Sequence, residues 1–454
     1  MVRDKNVYRT IFKIALPSAL QSLISFLVVV VDDMMVASMA DGVSAQAAVS
    51  QINSITAFYT ATVLGFVSGS SVLIAQYWGK RDMERIRRVF SVVTYVSMGL
   101  AVLFVALALL IPGRITALVV NRSEVQVTEL ALKYLAIVCV SYIPYALCYA
   151  LVGMLKAVEV VRMTLYISVA SLFVNISLNY VLIFGKLGLP AMGVQGAALA
   201  TVITRVVELI IVWWYAFKKQ KAIALKPSDL LKPERQMARD YVKYGAPVGF
   251  TDAQWALVGM LKAAIIGQLA REFMAANSIT SSMMNLGTMF TFALAGGACV
   301  VVGKVVGAGD YDKARQYSNT IQIMFACIGV FMALLVFLLA KPFVSLYGSA
   351  RESQEVYRLS VTMITIGAVT LIGTSYHASC FVGINRGAGD SRFVAMVDFI
   401  CGWIVVLPAT FLAAVVFKAP LPIVFLLTRI DQCFKWIIAF IRLRGDKWIK
   451  NVTR

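Results

Sequence analysis

Residues Phe26–Ser38 read FLVVVVDDMMVAS, a run of valines that ends in two adjacent carboxylates. The valines belong to a longer apolar run from Ile11 to Val31. That is enough for a helix to cross a hydrocarbon layer, which takes about 20 residues. Basic residues before the run and the small residues of VASMA after it imitate a secretory signal. The run is too long for such a signal, however, and the acids precede the small residues, so a retained first helix is expected.

Runs of this kind recur along all 454 residues. The chain is 60% hydrophobic and 14% charged, too little charge for a water-exposed surface of this size. Twelve spans can be drawn, at about 11–36, 46–77, 89–111, 131–156, 163–184, 193–217, 241–267, 273–303, 318–340, 355–384, 392–416 and 420–441. No alternating ten-residue pattern points to a barrel. The expected fold is an all-α membrane protein of twelve transmembrane helices in two pseudo-symmetric six-helix lobes. The net charge of +19 lies in short segments between apolar runs. That is a topology signal and argues against nucleic acid as a partner. With both termini cytoplasmic, about 29 of the 42 Lys and Arg fall on the cytoplasmic side and about 10 on the other. The seven cysteines all lie in apolar segments without a CxxC pair and read as small apolar residues.

The longest polar stretch, KKQKAIALKPSDLLKPERQMARD (Lys218–Asp240), lies midway along the chain. It divides an N-terminal lobe (1–217) from a C-terminal lobe (241–454), with 218–240 a cytoplasmic connector. The two lobes repeat each other. At an offset of 228, Gly69/Gly297, Gly79/Gly307, Asp82/Asp310 and Arg87/Arg315 coincide; at 230, Pro17/Pro247 and Gly153/Gly383 do. Each half has the same sidedness, so the repeat is parallel, a pattern of transporters.

The same residues carry a family resemblance. GSSVLIAQYWGKRD from Gly69 resembles the end of helix 2 in the multidrug and toxic compound extrusion (MATE) family, and VDDMMVASM from Val31 resembles that family's helix-1 pattern, an aspartate followed five residues later by a small residue. Residues 153–201, from GMLKAVEVVRM to GVQGAALAT, are similar to that family's helix 4–6 region, and GINRGAGDSRF from Gly383 resembles the matching part of the second half. The resemblance spans roughly residues 10–440. It implies two lobes, a cavity open to one side at a time, and export of organic compounds driven by inward H+ or Na+.

An ionised carboxylate at mid-membrane costs about 2.5–3.5 kcal/mol or more. Such a group therefore takes up a proton or keeps a cation beside it, which is the chemistry an ion-coupled exporter needs. Asp32 and Asp33 are about 100° apart on a helix. The resemblance aligns Asp32, placing it in the interior; alternatively both acids mark the wet end of helix 1. Asn175 and Asn179 share a helix face at i,i+4. Their amides could orient Asp32, complete a Na+ site with it, or serve as interhelical hydrogen bonds. Some relatives carry an acid at the position of Asn179. Thr201 is a further candidate in this lobe.

In the second lobe, Asp252 lies mid-span with no Lys or Arg of its own span at helical contact spacing. Some branches of the family place an acid three residues later, where this chain has Trp255. His377 is the only histidine; it suits proton traffic or a structural hydrogen bond. The branch using a helix-10 acid is not matched, because no carboxylate lies between Val356 and Gly389. Asp398 is another candidate. Arg205 with Glu208, and Arg429 with Asp431, read as structural ion pairs or as charges that snorkel to an interface.

The expected function is a secondary antiporter of the plasma (inner) membrane, with N and C termini cytoplasmic. It would export amphipathic, often cationic compounds by alternating access. No cofactor is expected beyond H+ or Na+ as coupling ion, and the expected partners are a small-molecule substrate and membrane lipid around a monomer. The alternative is a flippase of a lipid-linked precursor, which needs a cationic cavity, whereas the candidate residues are mainly acidic or neutral. An intramembrane enzyme built on His377 lacks a second catalytic motif.

Overall fold

The computed structural model describes residues 5–39, 42–117, 119, 124–220, 223–231 and 233–453, and no strand occurs among them. Among the described residues, ten helices are long and apolar enough to cross a membrane. They are α1 (Lys5–Ala37), α2 (Gly42–Lys80), α3 (Met83–Leu110), α4 (Val125–Ala157), α5 (Arg162–Phe184) and α6 (Gly193–Lys219) in the first half. After α7 (Ala246–Ile266) come α8 (Arg271–Gly307), α9 (Tyr311–Val344), α10 (Gln354–Asn385) and α11 (Ser391–Val416). α7 carries Thr251, Asp252, Gln254 and Lys262 within its length. The expected last span is not one helix. It is α12 (Leu421–Leu427) and α13 (Asp431–Arg444), separated by a turn at residues 428–430. With α7 and this broken span, the chain has the twelve membrane segments expected.

Interruptions have local causes. A 3-10 turn at Cys139–Ser141 precedes Pro144 in α4, where proline cannot donate to the preceding turn. Wider π-helical turns occupy Ser379–Asn385 in α10 and Ile400–Val406 in α11, the latter just before Pro408. In α10 the freed Cys380 carbonyl accepts from Asn385 Nδ2 at 2.9 Å. These π turns lie next to His377, Arg386 and Asp398, consistent with the tendency of such turns to occur at functional positions.

Contacts divide the chain into two units. The first comprises Leu20–Ile74 with Asp82–Gly249, the second Met1–Ala19, Ala75–Arg81 and Phe250–Arg454. Helices α1 and α2 thus contribute to both.

The first unit packs through small residues. A Cβ on Gly196 of α6 would lie 2.6 Å from the Leu182 carbonyl of α5, and one on Gly153 of α4 would lie 2.3 Å from the Val67 side chain of α2. Only glycine permits these approaches, the usual device of helix packing in lipid. The connector is fastened to α3. Arg87 donates to the Ile223 carbonyl at 2.8 Å and Ser91 to the Leu230 carbonyl at 2.9 Å. Lys221, Ala222 and Lys232 of the connector lie outside the described residues.

The second unit has an apolar core in which Val7, Ile11 and Ala15 of α1 pack with Leu294, Ala298 and Val302 of α8, Phe325 of α9, Phe381 of α10 and Trp448. The C-terminal segment is stitched into it. Gln76 donates to the Gly387 and Lys450 carbonyls at 3.1 and 3.2 Å and accepts from Val452 N at 2.8 Å. Fully buried Asp390 receives Arg442 at 2.8 Å and Lys450. The paired aspartates of the repeat play one role. Asp82 accepts from Arg85 N at 3.0 Å, and Asp310 from Lys313 N at 3.1 Å, each capping the next helix.

Candidate functional site

Each unit holds its own group of intramembrane polar residues. In the first, Asp32 reaches α5, where Asn179 Nδ2 donates to its carboxylate and also to Asn175 Oδ1 at 3.2 Å. Both asparagines are buried, Asn179 fully. The i,i+4 spacing puts them on one face, and the 100° step separates Asp33 from Asp32 around α1. One Asp33 oxygen and the Asn179 carbonyl are buried without a hydrogen-bond partner among the described residues. Thr201 bonds back to the Ala197 carbonyl at 3.1 Å. Tyr134 of α4 donates to Asn53 Oδ1 of α2 at 3.4 Å.

Asp32 therefore has an amide partner in Asn179 but, among the described residues, no ion pair. Arg205 acts on it across space while its guanidinium is held by Glu208 at 2.7 Å, the ion pair expected from the sequence. That guanidinium also lies over the Tyr145 ring, 5.3 Å from its centroid, and Tyr145 stacks on Tyr149 at 4.3 Å. Two oxygens, from Asp32 and Asn175, converge on the Asn179 amide nitrogen. A sodium ion as cargo would fit them only with the Asn179 amide turned over, since its nitrogen now faces the carboxylate. Oxygen and nitrogen of an amide are assigned from such networks.

The second unit differs in charge. Asp252 is not unpaired: Arg386, arriving from the end of α10, donates to it at 2.7 Å. Helical spacing within α7 could not reveal a partner more than a hundred residues away. Asp398 meets Lys435 of α13 at 2.5 Å, and Asp431 meets the same ammonium at 3.6 Å. All three are buried. The ammonium lies 4.6 Å from the Trp255 ring centroid, so the residue at the family's acid position supports a cation–π contact. His377 is buried, its Nδ1 3.0 Å from the Gly373 carbonyl. It lies within electrostatic range of Lys435, Asp431 and Asp398.

The expectation of mainly acidic and neutral site residues is therefore corrected for this unit, where Lys262, Arg386, Arg429 and Lys435 accompany the acids. Arg429 pairs with Thr370 at 3.0 Å rather than with Asp431. Lys435 and Asp431 escaped notice as site residues, although their i,i+4 spacing inside an apolar span was a usable signal. Five cysteines are buried, whereas Cys327 and Cys433 are exposed.

The MatE family profile matches twice, over residues 17–181 and 247–412. The two matches begin at Pro17 and Pro247, one pair of the repeat. A probable multidrug resistance protein NorM of Agrobacterium fabrum is 27% identical over 351 residues, covering 74% of this chain and 73% of its own. A protein of the same description from Thermotoga maritima is 23% identical, covering 85% and 81%. A crystal structure of a MATE protein in complex with MaL6 superposes with a TM-score of 0.85 at 18% identity, covering 96% of each chain. The repeated profile, the all-helical fold and these similarities agree: the chain is a multi-pass membrane protein of the MatE family, a transporter and not an enzyme.

Proposed function

We propose that this protein exports amphipathic, often cationic organic compounds across the plasma (inner) membrane by alternating access, in exchange for H+ or Na+. The observation that carries this reading is Asp32, an intramembrane carboxylate held by the Asn179 amide without a paired cation among the described residues. Such a group changes charge or captures a cation at modest cost. A carboxylate already neutralised by a lysine, like Asp398, has less reason to do either. Binding of the ion from outside lowers the hold on a cationic compound and favours the releasing state. An ion drives a transition only through different affinity for the two states. Asn175, Asn179 and Thr201 position Asp32, while Asp252 and Asp398, held by Arg386 and Lys435, take with His377 a secondary part on the cargo side of the second lobe.

The NorM relatives, named for multidrug resistance, support drug-like cargo over the flippase alternative. The lobe assignment 1–217 and 241–454 around a cytoplasmic connector belongs to the same reading, as does a monomer with cytoplasmic termini. Efflux of ethidium from proteoliposomes, driven in turn by an imposed proton and sodium gradient, tests it. Efflux indifferent to both gradients refutes antiport. Single cysteines placed at Ser228 and at Thr453 are expected to resist an impermeant thiol reagent added to intact cells. Ready labelling from outside refutes the orientation.

A further inference from the structure

The second unit holds more cation than its ion pairs use. Arg386 is matched by Asp252, and Lys435 by Asp398 and Asp431. Lys262 and Arg429 have no carboxylate at ion-pair distance among the described residues. Lys262 Nζ donates only to the Thr428 carbonyl at 3.4 Å, and Arg429 Nε to Thr370 Oγ1 at 3.0 Å. Four basic groups thus stand against Asp252, Asp398 and Asp431, an excess of one positive charge.

These groups are neighbours. The Trp255 ring has the Lys435 ammonium 4.6 Å and the Lys262 ammonium 5.9 Å from its centroid. Arg429 follows Thr428, whose carbonyl Lys262 reaches. The broken span makes this arrangement. A continuous helix would bond the Thr428 carbonyl within itself, whereas the turn between α12 and α13 leaves it to Lys262 and presents Arg429 beside it.

An uncompensated charge in a low-dielectric interior is costly, and an incoming counter-charge removes that cost. Guanidinium and ammonium groups together suit a carboxylate, the first by its paired N–H donors and the second as a point charge. The Trp255 indole, which lies beside both ammonium groups, adds apolar area to the site. We propose that Lys262 and Arg429, beside Trp255 and Lys435 at the break between α12 and α13, bind the carboxylate of an amphipathic aromatic compound. This deepens and rests on the export reading: cargo then includes aromatic acids and zwitterions as well as cations. A lipid phosphate offers similar anionic oxygens. Lys435, almost fully buried, and the indole favour an aromatic acid over a headgroup.

The test uses the full chain in phosphatidylcholine nanodiscs, titrated with 1-pyrenebutyrate and the neutral 1-pyrenebutanol and read by pyrene anisotropy. The acid is expected to bind about tenfold or more tighter, the scale of one charge-assisted hydrogen bond. Lys262→Gln with Arg429→Gln is expected to bring the two probes to parity. The charge-conserving Lys262→Arg and Arg429→Lys are expected to keep the preference and show that the site tolerates substitution. Equal binding of acid and alcohol by the unmodified protein, or a preference that survives the double variant, overturns the proposal. In phosphatidylglycerol nanodiscs the preference is expected to persist; its loss assigns the cations to lipid phosphate and overturns the proposal. Absence of gradient-driven ethidium efflux alongside an intact acid preference removes the export reading and leaves this site standing.

Discussion

Replacing Asn179 by leucine deletes the amide but keeps the branched shape, so the packing of α5 against α1 is retained. In the native protein that amide donates to Asp32 and to Asn175 from a fully buried position. A hydrogen bond to a charged group contributes about 1.5–3 kcal/mol net. Here it favours the ionised carboxylate over the protonated one. At about 1.4 kcal/mol per factor of ten, losing it eases proton uptake about ten- to hundredfold. The assay is efflux of ethidium from proteoliposomes at a series of external pH values. A proton-driven cycle is expected to reach half-maximal drive at a proton concentration lower by that factor. A sodium-driven cycle loses an oxygen ligand instead, and the sodium concentration for half-maximal drive is expected to rise. If Asn179→Leu leaves both half-maximal concentrations and the maximal rate unchanged, the Asp32–Asn179 contact has no part in coupling.

Three further outcomes are expected. Asp32→Asn abolishes or strongly reduces gradient-driven efflux with a normal melting temperature in detergent, and Asp33→Asn does less; equal, near-normal transport by both returns the pair to the wet end of helix 1. Asp252→Asn strands Arg386, whose side chain is only 7% exposed. The loss is expected near the lower end of the ~3–5 kcal/mol typical of a broken buried pair, with Arg386→Leu in the same chain recovering much of it; an unchanged denaturation midpoint for Asp252→Asn rejects this. Trp448→Ala empties a site 1% exposed and is expected to cost about 3–5 kcal/mol; a loss below about 1 kcal/mol means that the C-terminal segment does not hold the helix ends.

The sequence by itself determined the membrane class, the helical spans and the repeat. Each is written locally, in twenty-residue apolar runs, in basic segments between them, and in glycine, aspartate and proline recurring at one offset. It also determined that Asn175 and Asn179 share a face while Asp32 and Asp33 do not, because helical geometry alone decides that. The tertiary structure decided which charges meet. Asp252 finds Arg386 and Asp398 finds Lys435 only because packing brings α7 to the end of α10 and α11 to α13. Such pairs lie tens to more than a hundred residues apart and leave no periodic trace in the chain. The break at residues 428–430 was hidden for a similar reason. An apolar stretch reads as one helix whether or not Lys262, a donor from another helix, is there to take a released carbonyl. Proximity along the chain is a local property, but the balance of charge in a membrane interior belongs to the whole bundle.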